Sequence, residues 1–361
     1  MKTCSPEHAL QMPCNGAAAN DSFRFRRLCQ QTDLPAVCEL FETVFRQPMT
    51  PNHWQWKYSQ APAGGGFNVV VEHIPTGRLV GHMGVIVVPG ERAGEALRMG
   101  QVCDVMLHPE VRSGIGPRSI YQRMNNALRD LAHAPLQEPQ TPLFMYGFPG
   151  QRPATLGERI GVYRPLQICT EYHSVNVPPS AWSSFWKKHD PRRLQIQAQP
   201  ATAHAWSDTC LNALWQRHRA QLAAHPQAYA APRITKNAAY LRWRYLRHPQ
   251  QFPAGEGGVA RYTLWLLWRY RQTPLGWLVT REQPQPVVVD SCLPPGSGWA
   301  AAALRALPPP ATSTPSGWVS WLGHAHATAK PTPIHAVEVL GQPFHAHWPS
   351  SNFQPGDTDV F

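Results

Sequence analysis

The stretch Cys103-Asp104-Val105-Met106-Leu107-His108-Pro109-Glu110-Val111-Arg112-Ser113-Gly114-Ile115-Gly116-Pro117 constrains the fold of this chain more than any other. An apolar, β-branched run from Leu97 to Leu107 reads as a strand, and it ends at a proline that cannot donate to a ladder. A loop with Arg112 and two glycines follows, and a helix opens at once, with Pro117 suited to its first turn. Ile120, Met124, Ala127, Leu128 and Leu131 share one face of that helix; Gln122, Arg123, Asn126, Arg129 and Asp130 fall elsewhere. Such a junction is an anion cradle. Glycines let the backbone curl around a ligand, and the first helical turn offers unpaired N–H groups at the positive end of its dipole. The same junction, standing alone, also describes an ordinary strand–turn–helix connection with no ligand.

The flanking segments place the junction in a sheet. Phe23 to Leu28 reads as a first strand, and Thr32 to Phe45 as a helix that Asp33 can cap, with Leu34, Val37, Leu40, Phe41 and Val44 at helical spacing. An aromatic segment, His53 to Tyr58, leads to Pro62. Phe67–His73 and Arg78–Val88 form a hairpin around Pro75-Thr76-Gly77. Beyond the junction, Pro142 to Phe148 is a short buried strand, residues 151–160 a helix ended by Gly161, and Tyr163 to Val175 another strand. This order gives an α/β class with a mixed sheet of α+β character.

A chain of 361 residues exceeds one ordinary core, so two domains are expected. Residues 1–22 read as a disordered leader, 23–176 as the first domain, the Pro- and Trp-rich 177–205 as a linker and 206–361 as the second domain, ending in a polar tail from Asn352. The second half repeats the first: Trp243-Arg244-Tyr245 and Pro249 stand where Trp56-Lys57-Tyr58 and Pro62 stand, at identical offsets. Strands follow each copy, including Pro286–Cys292 and Trp318–Leu322, with a helix from Trp299 to Leu307.

The junction resembles the acyl-CoA-binding motif of the GNAT N-acetyltransferases, and the resemblance runs roughly from residue 23 to 175. It takes in the Trp-Lys-Tyr segment, Gly77-Arg78-Leu79-Val80-Gly81-His82-Met83-Gly84 and Tyr146-Gly147-Phe148-Pro149-Gly150. With the repeat, it looks like the tandem group whose second GNAT-like unit is degenerate. The resemblance implies an acyltransferase moving an acetyl group from acetyl-CoA to an amine, whether an amino sugar, a small amine or a protein amine. It implies that backbone groups of Val105, Met106 and Leu107 pair with the pantetheine arm, and that Arg112, Ser113, Gly114, Ile115, Gly116 and Pro117 hold the pyrophosphate. The chain departs from the pattern at Val111, where the family has Arg or Gln, at Gly150, where it often has Asn, and at Gly157, where it often has a proton-donating Tyr. A non-catalytic acyl-CoA-binding or interaction protein on a GNAT scaffold is therefore the alternative.

Amine acylation needs a base for the ammonium and donors for the oxyanion. Asp104 is the first candidate, since a carboxylate within an apolar strand needs a partner. Glu72 and Tyr146 complete the catalytic set, with His73, His82 and Tyr163 as lesser candidates. His324, His326, His345 and His347 alternate but lack known ligand spacing, so no metal is expected. A net charge of +11 favours anionic partners, yet the basic residues are scattered, and nucleic-acid binding ranks below a basic solvated surface. Eight cysteines without a CxxC pair, no apolar leader and no membrane-length apolar stretch point to the cytoplasm.

Overall fold

The structure is a computed structural model that describes residues 22–112, 116, 118–132, 141–175, 195–199, 206–251, 260–269, 273–281, 285–295, 297–310, 316–323, 327–339 and 354–358. The expected leader lies outside these residues except for Ser22.

The first half runs β1 (Phe23–Arg27), α1 (Gln30–Phe45), α2 (Pro51–Tyr58), β2 (Phe67–His73), β3 (Arg78–Arg92), β4 (Glu95–Leu107), α3 (Ile120–Ala132), β5 (Leu143–Gly147), α4 (Gln151–Arg159) and β6 (Tyr163–Val175). The second runs β7 (Gln195–Gln199), α5 (Asp208–Leu222), α6 (Pro226–Ala230), β8 (Arg233–Ile234), α7 (Ala238–Leu241), a π-helical turn (Arg242–Leu246), β9 (Thr263–Arg269), β10 (Thr273–Arg281), β11 (Val287–Cys292), α8 (Ser297–Ala306), β12 (Ser316–Ser320), β13 (Ala327–Val339) and α9 (Pro355–Thr358). Two expectations change. β7 pairs with β9 inside the segment read as a linker, and the polar tail contains α9, with Gln354 and Asp357 buried.

Local chemistry explains the element ends. Asp33 does not precede α1 but sits in its first turn, where its carboxylate accepts the Cys29 N–H at 2.8 Å and pairs with Arg26. Helix α3 starts at Ile120 rather than near Pro117, because the Ser119 hydroxyl accepts the Gln122 N–H at 3.2 Å and caps it there.

Among the described residues, the strands form one sheet in the order β1-β2-β3-β4-β5-β13-β6-β12-β11-β10-β9-β7, with β8 joined to β3. Read from its two ends, this order repeats. β1-β2-β3-β4-β5 matches β7-β9-β10-β11-β12: each run is antiparallel until its last pair, β4–β5 or β11–β12, which is parallel. The two closing strands are exchanged, so that β13 lies against β5 and β6 against β12. They pair with each other at the centre from Tyr163↔Val339 to Ser174↔Ala327.

The cores follow this pseudo-twofold plan. Helix α3 packs Ile120, Met124, Ala127 and Leu128 on the outer face of the first run. Helix α8 packs Ala302, Ala303 and Leu304 on the second. The third cluster joins the halves: Leu34, Val37 and Phe41 of α1 meet Trp56, Trp243, Tyr245, Leu264 and Trp277. At its centre the repeated tryptophans stack 5.3 Å apart, and each indole N–H donates to the other's carbonyl at 2.8 Å.

Candidate active site

Strands β4 and β5 pair in parallel from Arg98↔Leu143 to Val102↔Gly147 and then separate. The chain leaves β5 through Phe148-Pro149-Gly150 into α4, while β4 continues to Leu107. A V-shaped opening results, in which residues 103–107 of β4 have no strand paired to them on the β5 side among the described residues. A bulge marks its inner end. The β3–β4 register slips between His82↔Met106 and Gly84↔Cys103, and Asp104 takes φ +49°. A non-glycine residue holds that conformation only when its surroundings fix it.

Those surroundings are a buried polar network. The Asp104 carboxylate accepts from Lys57 Nζ at 2.7 and 2.8 Å and from the Tyr58 hydroxyl at 2.6 Å. Below it, His82 donates from Nδ1 to the Asp104 carbonyl at 2.9 Å and meets the Asn68 side-chain amide at 3.0 Å. Burial works to raise the Asp104 carboxyl, but the Lys57 charge and the hydrogen bonds hold it below the usual carboxylate range. Burial also lowers His82 from its ordinary value, so its ring is neutral near pH 7. The second half carries a counterpart: Asp290 accepts from Lys236 at 2.7 Å and from Tyr245 at 2.7 Å. Tyr245 repeats Tyr58; the lysines come from different elements.

The residues expected at the site are only partly brought together. Val105 and Leu107 lie half-buried on the β4 arm of the opening, and Met106 is buried on the opposite face. Arg112 folds back, its Nε donating to the Leu107 carbonyl at 2.9 Å, which closes the end of β4. Gly116 has φ +147°, a conformation that a side chain would strain. Ser113, Gly114, Ile115 and Pro117 lie outside the described residues, as do all four alternating histidines. Asp104 is fully engaged in the network, a geometry for a fixed anion rather than a proton acceptor. Glu72 stands two strands away, tied to Arg26 at 3.0 Å, so it does not face the opening. His73 bonds Thr76 in the hairpin turn. Tyr163 explains Gly157: a Cβ there would lie 2.0 Å from the tyrosine ring.

Tyr146 does stand at the opening. It pairs across from Gln101 in the step before Val102↔Gly147. Both side chains line a small internal void with Tyr240, Trp243, Arg244 and Asp357 from the second half. Sequence reasoning missed these last four, because nothing local announces a contact between residue 101 and residue 357. The aromatic repeat was the one signal that led toward Trp243 and Arg244. Burial raises the Tyr146 and Tyr240 phenols well above the usual tyrosine range. Among the described residues, no group of His, Cys, Asp and Glu is placed to hold a metal ion. No helix among them is long and apolar enough to cross a membrane.

Comparisons fit this geometry. Residues 26–134 match the family profile described as acetyltransferase (GNAT) domain. No curated protein matches the sequence. The fold is similar to a probable N-acyltransferase, a conserved protein of unknown function, from Enterococcus faecalis V583, with 13% identity, 89% of this chain and 73% of that chain covered, and a TM-score of 0.56. It is similar to a GCN5-related N-acetyltransferase from Kribbella flavida, with 12% identity, 90% and 73% covered, and a TM-score of 0.51. A third, also a GCN5-related N-acetyltransferase, comes from Anabaena variabilis ATCC 29413, with 11% identity, 88% and 73% covered, and a TM-score of 0.53. At such identities the likeness is one of fold, and its coverage takes in both runs of strands.

Proposed function

We propose that this chain, which carries a GNAT acetyltransferase domain over residues 26–134, transfers an acetyl group from acetyl-CoA to an amine. The observation that carries the reading is the opening between β4 and β5 beyond Val102↔Gly147, with the bulge at Asp104 at its inner end. Peptide groups of residues 103–107 that face the opening would bind the amides of the pantetheine arm as a substitute strand. A peptide N–H at the bulge would face the thioester oxygen, where negative charge develops. Residues 112–117 and the start of α3 would take the pyrophosphate.

The donor is expected to be short. Behind the inner end of the opening, Phe144 and Tyr146 of β5 are buried, which suits acetyl better than a long acyl chain. The amine would attack directly within a ternary complex, and the second run of strands, as a tandem GNAT-like unit, would wall the acceptor side. The described cysteines are free thiols, in keeping with work in the cytoplasm.

A non-catalytic acyl-CoA-binding role is the second reading, favoured by the full engagement of Asp104. Calorimetry with acetyl-CoA and thiol release over an amine panel separate the two: binding with turnover supports the enzyme, binding without turnover the carrier. Gly116→Val is expected to weaken acetyl-CoA binding roughly tenfold while leaving the melting temperature within a few degrees. Unchanged affinity would remove the loop from the site.

A further inference from the structure

The void at the inner end of the opening is unusual in its charge. Gln101 and Tyr146 reach it from β4 and β5, one residue before those strands part, so it lies directly beside the place assigned to the thioester. Asp357, brought in by α9, is 3% exposed and lines the same space. Its Oδ2 accepts the Gln354 N–H at 2.8 Å. Lys236 Nζ forms an ion pair with its Oδ1 at 3.0 Å and a hydrogen bond with Asp290 at 2.7 Å, so one ammonium is shared between two buried carboxylates. Asp290 also accepts from Tyr245 and the Ser291 N–H.

We propose that this void seats the acceptor nitrogen and that Asp357 takes its proton, with acceptors limited to unbranched primary amines; the inference rests on the acyltransfer reading above. Size argues for the class. The space holds a water-sized group, and its walls are buried: Tyr146, Tyr240, Trp243 and Arg244. A terminal –CH2–NH3+ can place its nitrogen there, whereas an amine on a ring carbon would have to displace those side chains.

Charge argues for the proton transfer. The ionised groups facing Asp357 are Lys236, Asp290 and Arg244, with the hydroxyls of Tyr146 and Tyr240 and the Cys169 thiol nearby. Two cations already balance two carboxylates, so an entering ammonium makes the pocket net positive and is driven to lose a proton. Burial first, and the Asp290 charge after it, raise the Asp357 carboxyl above its ordinary value against the pull of Lys236, which makes it a better proton acceptor. The step balances. R–NH3+ gives its proton to the Asp357 carboxylate, the freed lone pair forms the C–N bond, the C–S bond breaks, and the nitrogen's second proton goes to the departing CoA thiolate. Asp357 then returns its proton to solvent.

The test uses the full chain and acetyl-CoA, with n-butylamine and a lysine-containing tetrapeptide set against cyclohexylamine and glucosamine. Thiol release is expected to favour the first pair by at least about 50-fold in kcat/KM. Asp357→Asn should lower kcat about 100-fold and remove the limb of the pH profile that rises with carboxylate ionisation, with acetyl-CoA affinity by calorimetry kept within about twofold. Asp357→Glu should restore part of the rate and the limb. If Asp357→Asn fails to fold, the glutamate variant and the wild-type selectivity decide. Equal use of ring amines, or an Asp357→Asn enzyme with wild-type kcat and an unchanged limb, overturns the inference. Binding of acetyl-CoA with no amine acetylated overturns it together with the catalytic reading, and no binding removes the reading beneath it.

Discussion

Lys57 and Asp104 show what one buried pair does for the candidate site. Both side chains are essentially inaccessible, and their ion pair sits where the bulge begins. Removing one partner leaves a desolvated charge, which costs about 3–5 kcal/mol, whereas replacing both with apolar residues costs less. Lys57→Met is therefore expected to lower the unfolding free energy by that amount, and a Lys57→Met/Asp104→Leu double variant by clearly less than the sum of the two single changes. Additive losses in urea titrations would show that the pair is not coupled. Gly157 tests a different contact. An alanine Cβ would meet the Tyr163 ring at 2.0 Å, so Gly157→Ala should destabilise by about 1–3 kcal/mol. An unchanged melting temperature would mean that the ring moves freely. The need of Asp104 for a partner was legible in the sequence, because a carboxylate in an apolar strand demands one. The identity of the partner was not, because Lys57 lies 47 residues away.

The elements from 23 to 175 were largely legible because their apolar residues recur with a clean period and turn chemistry separates them. β13 was not. Its sequence, Ala-Thr-Ala-Lys-Pro-Thr-Pro-Ile-His-Ala-Val-Glu-Val, carries two prolines and little alternation, and the register with β6 slips between Pro331 and His335. The strand exists because β6 offers it a long edge, a fact available only in three dimensions. Helix α9 was hidden in the same way, since a polar turn is buried here only because Lys236 receives Asp357. The exchange of β6 and β13 has a consequence for the first half as an isolated piece. A fragment ending at residue 175 would lose β13 from both β5 and β6, and β12 from β6, leaving open strand edges in place of paired ones. Such a fragment is expected to associate or aggregate rather than behave as a folded monomer in gel filtration. A stable monomer with a cooperative melt would show that the first run closes its own sheet.

The two halves meet through aromatic rings and neutral histidines, which makes the whole molecule sensitive to acid. His53 and His248 flank Trp56 at the seam, at 5.5 and 4.5 Å between ring centroids. Burial first, and the Lys57 charge next, lower His53 to about 4; burial and Arg244 lower His248 to about 2. His218, which bonds the Leu293 carbonyl, falls to about 4, mainly by burial. An unfolded histidine takes its proton near pH 6.5, so between pH 6.5 and 4 the unfolded chain binds more protons than the folded one. Stability must then rise with pH across that window and fall as acid is added. Each such histidine contributes at most about 1.4 kcal/mol per pH unit, and three together about 4. Asp357 acts in the opposite sense, because burial raises its carboxyl in the folded state above the unfolded value. The net expectation is a steep loss of urea midpoint from pH 6.5 to pH 5, with an uptake of two to three protons on unfolding read from its slope. Replacing His248 with Phe, which keeps the ring and removes the titration, should flatten the slope by about one proton. A midpoint that stays level between pH 6.5 and 5 would mean that these rings are charged, or reached by water, in the folded protein, and that the seam is looser than its stacked tryptophans indicate.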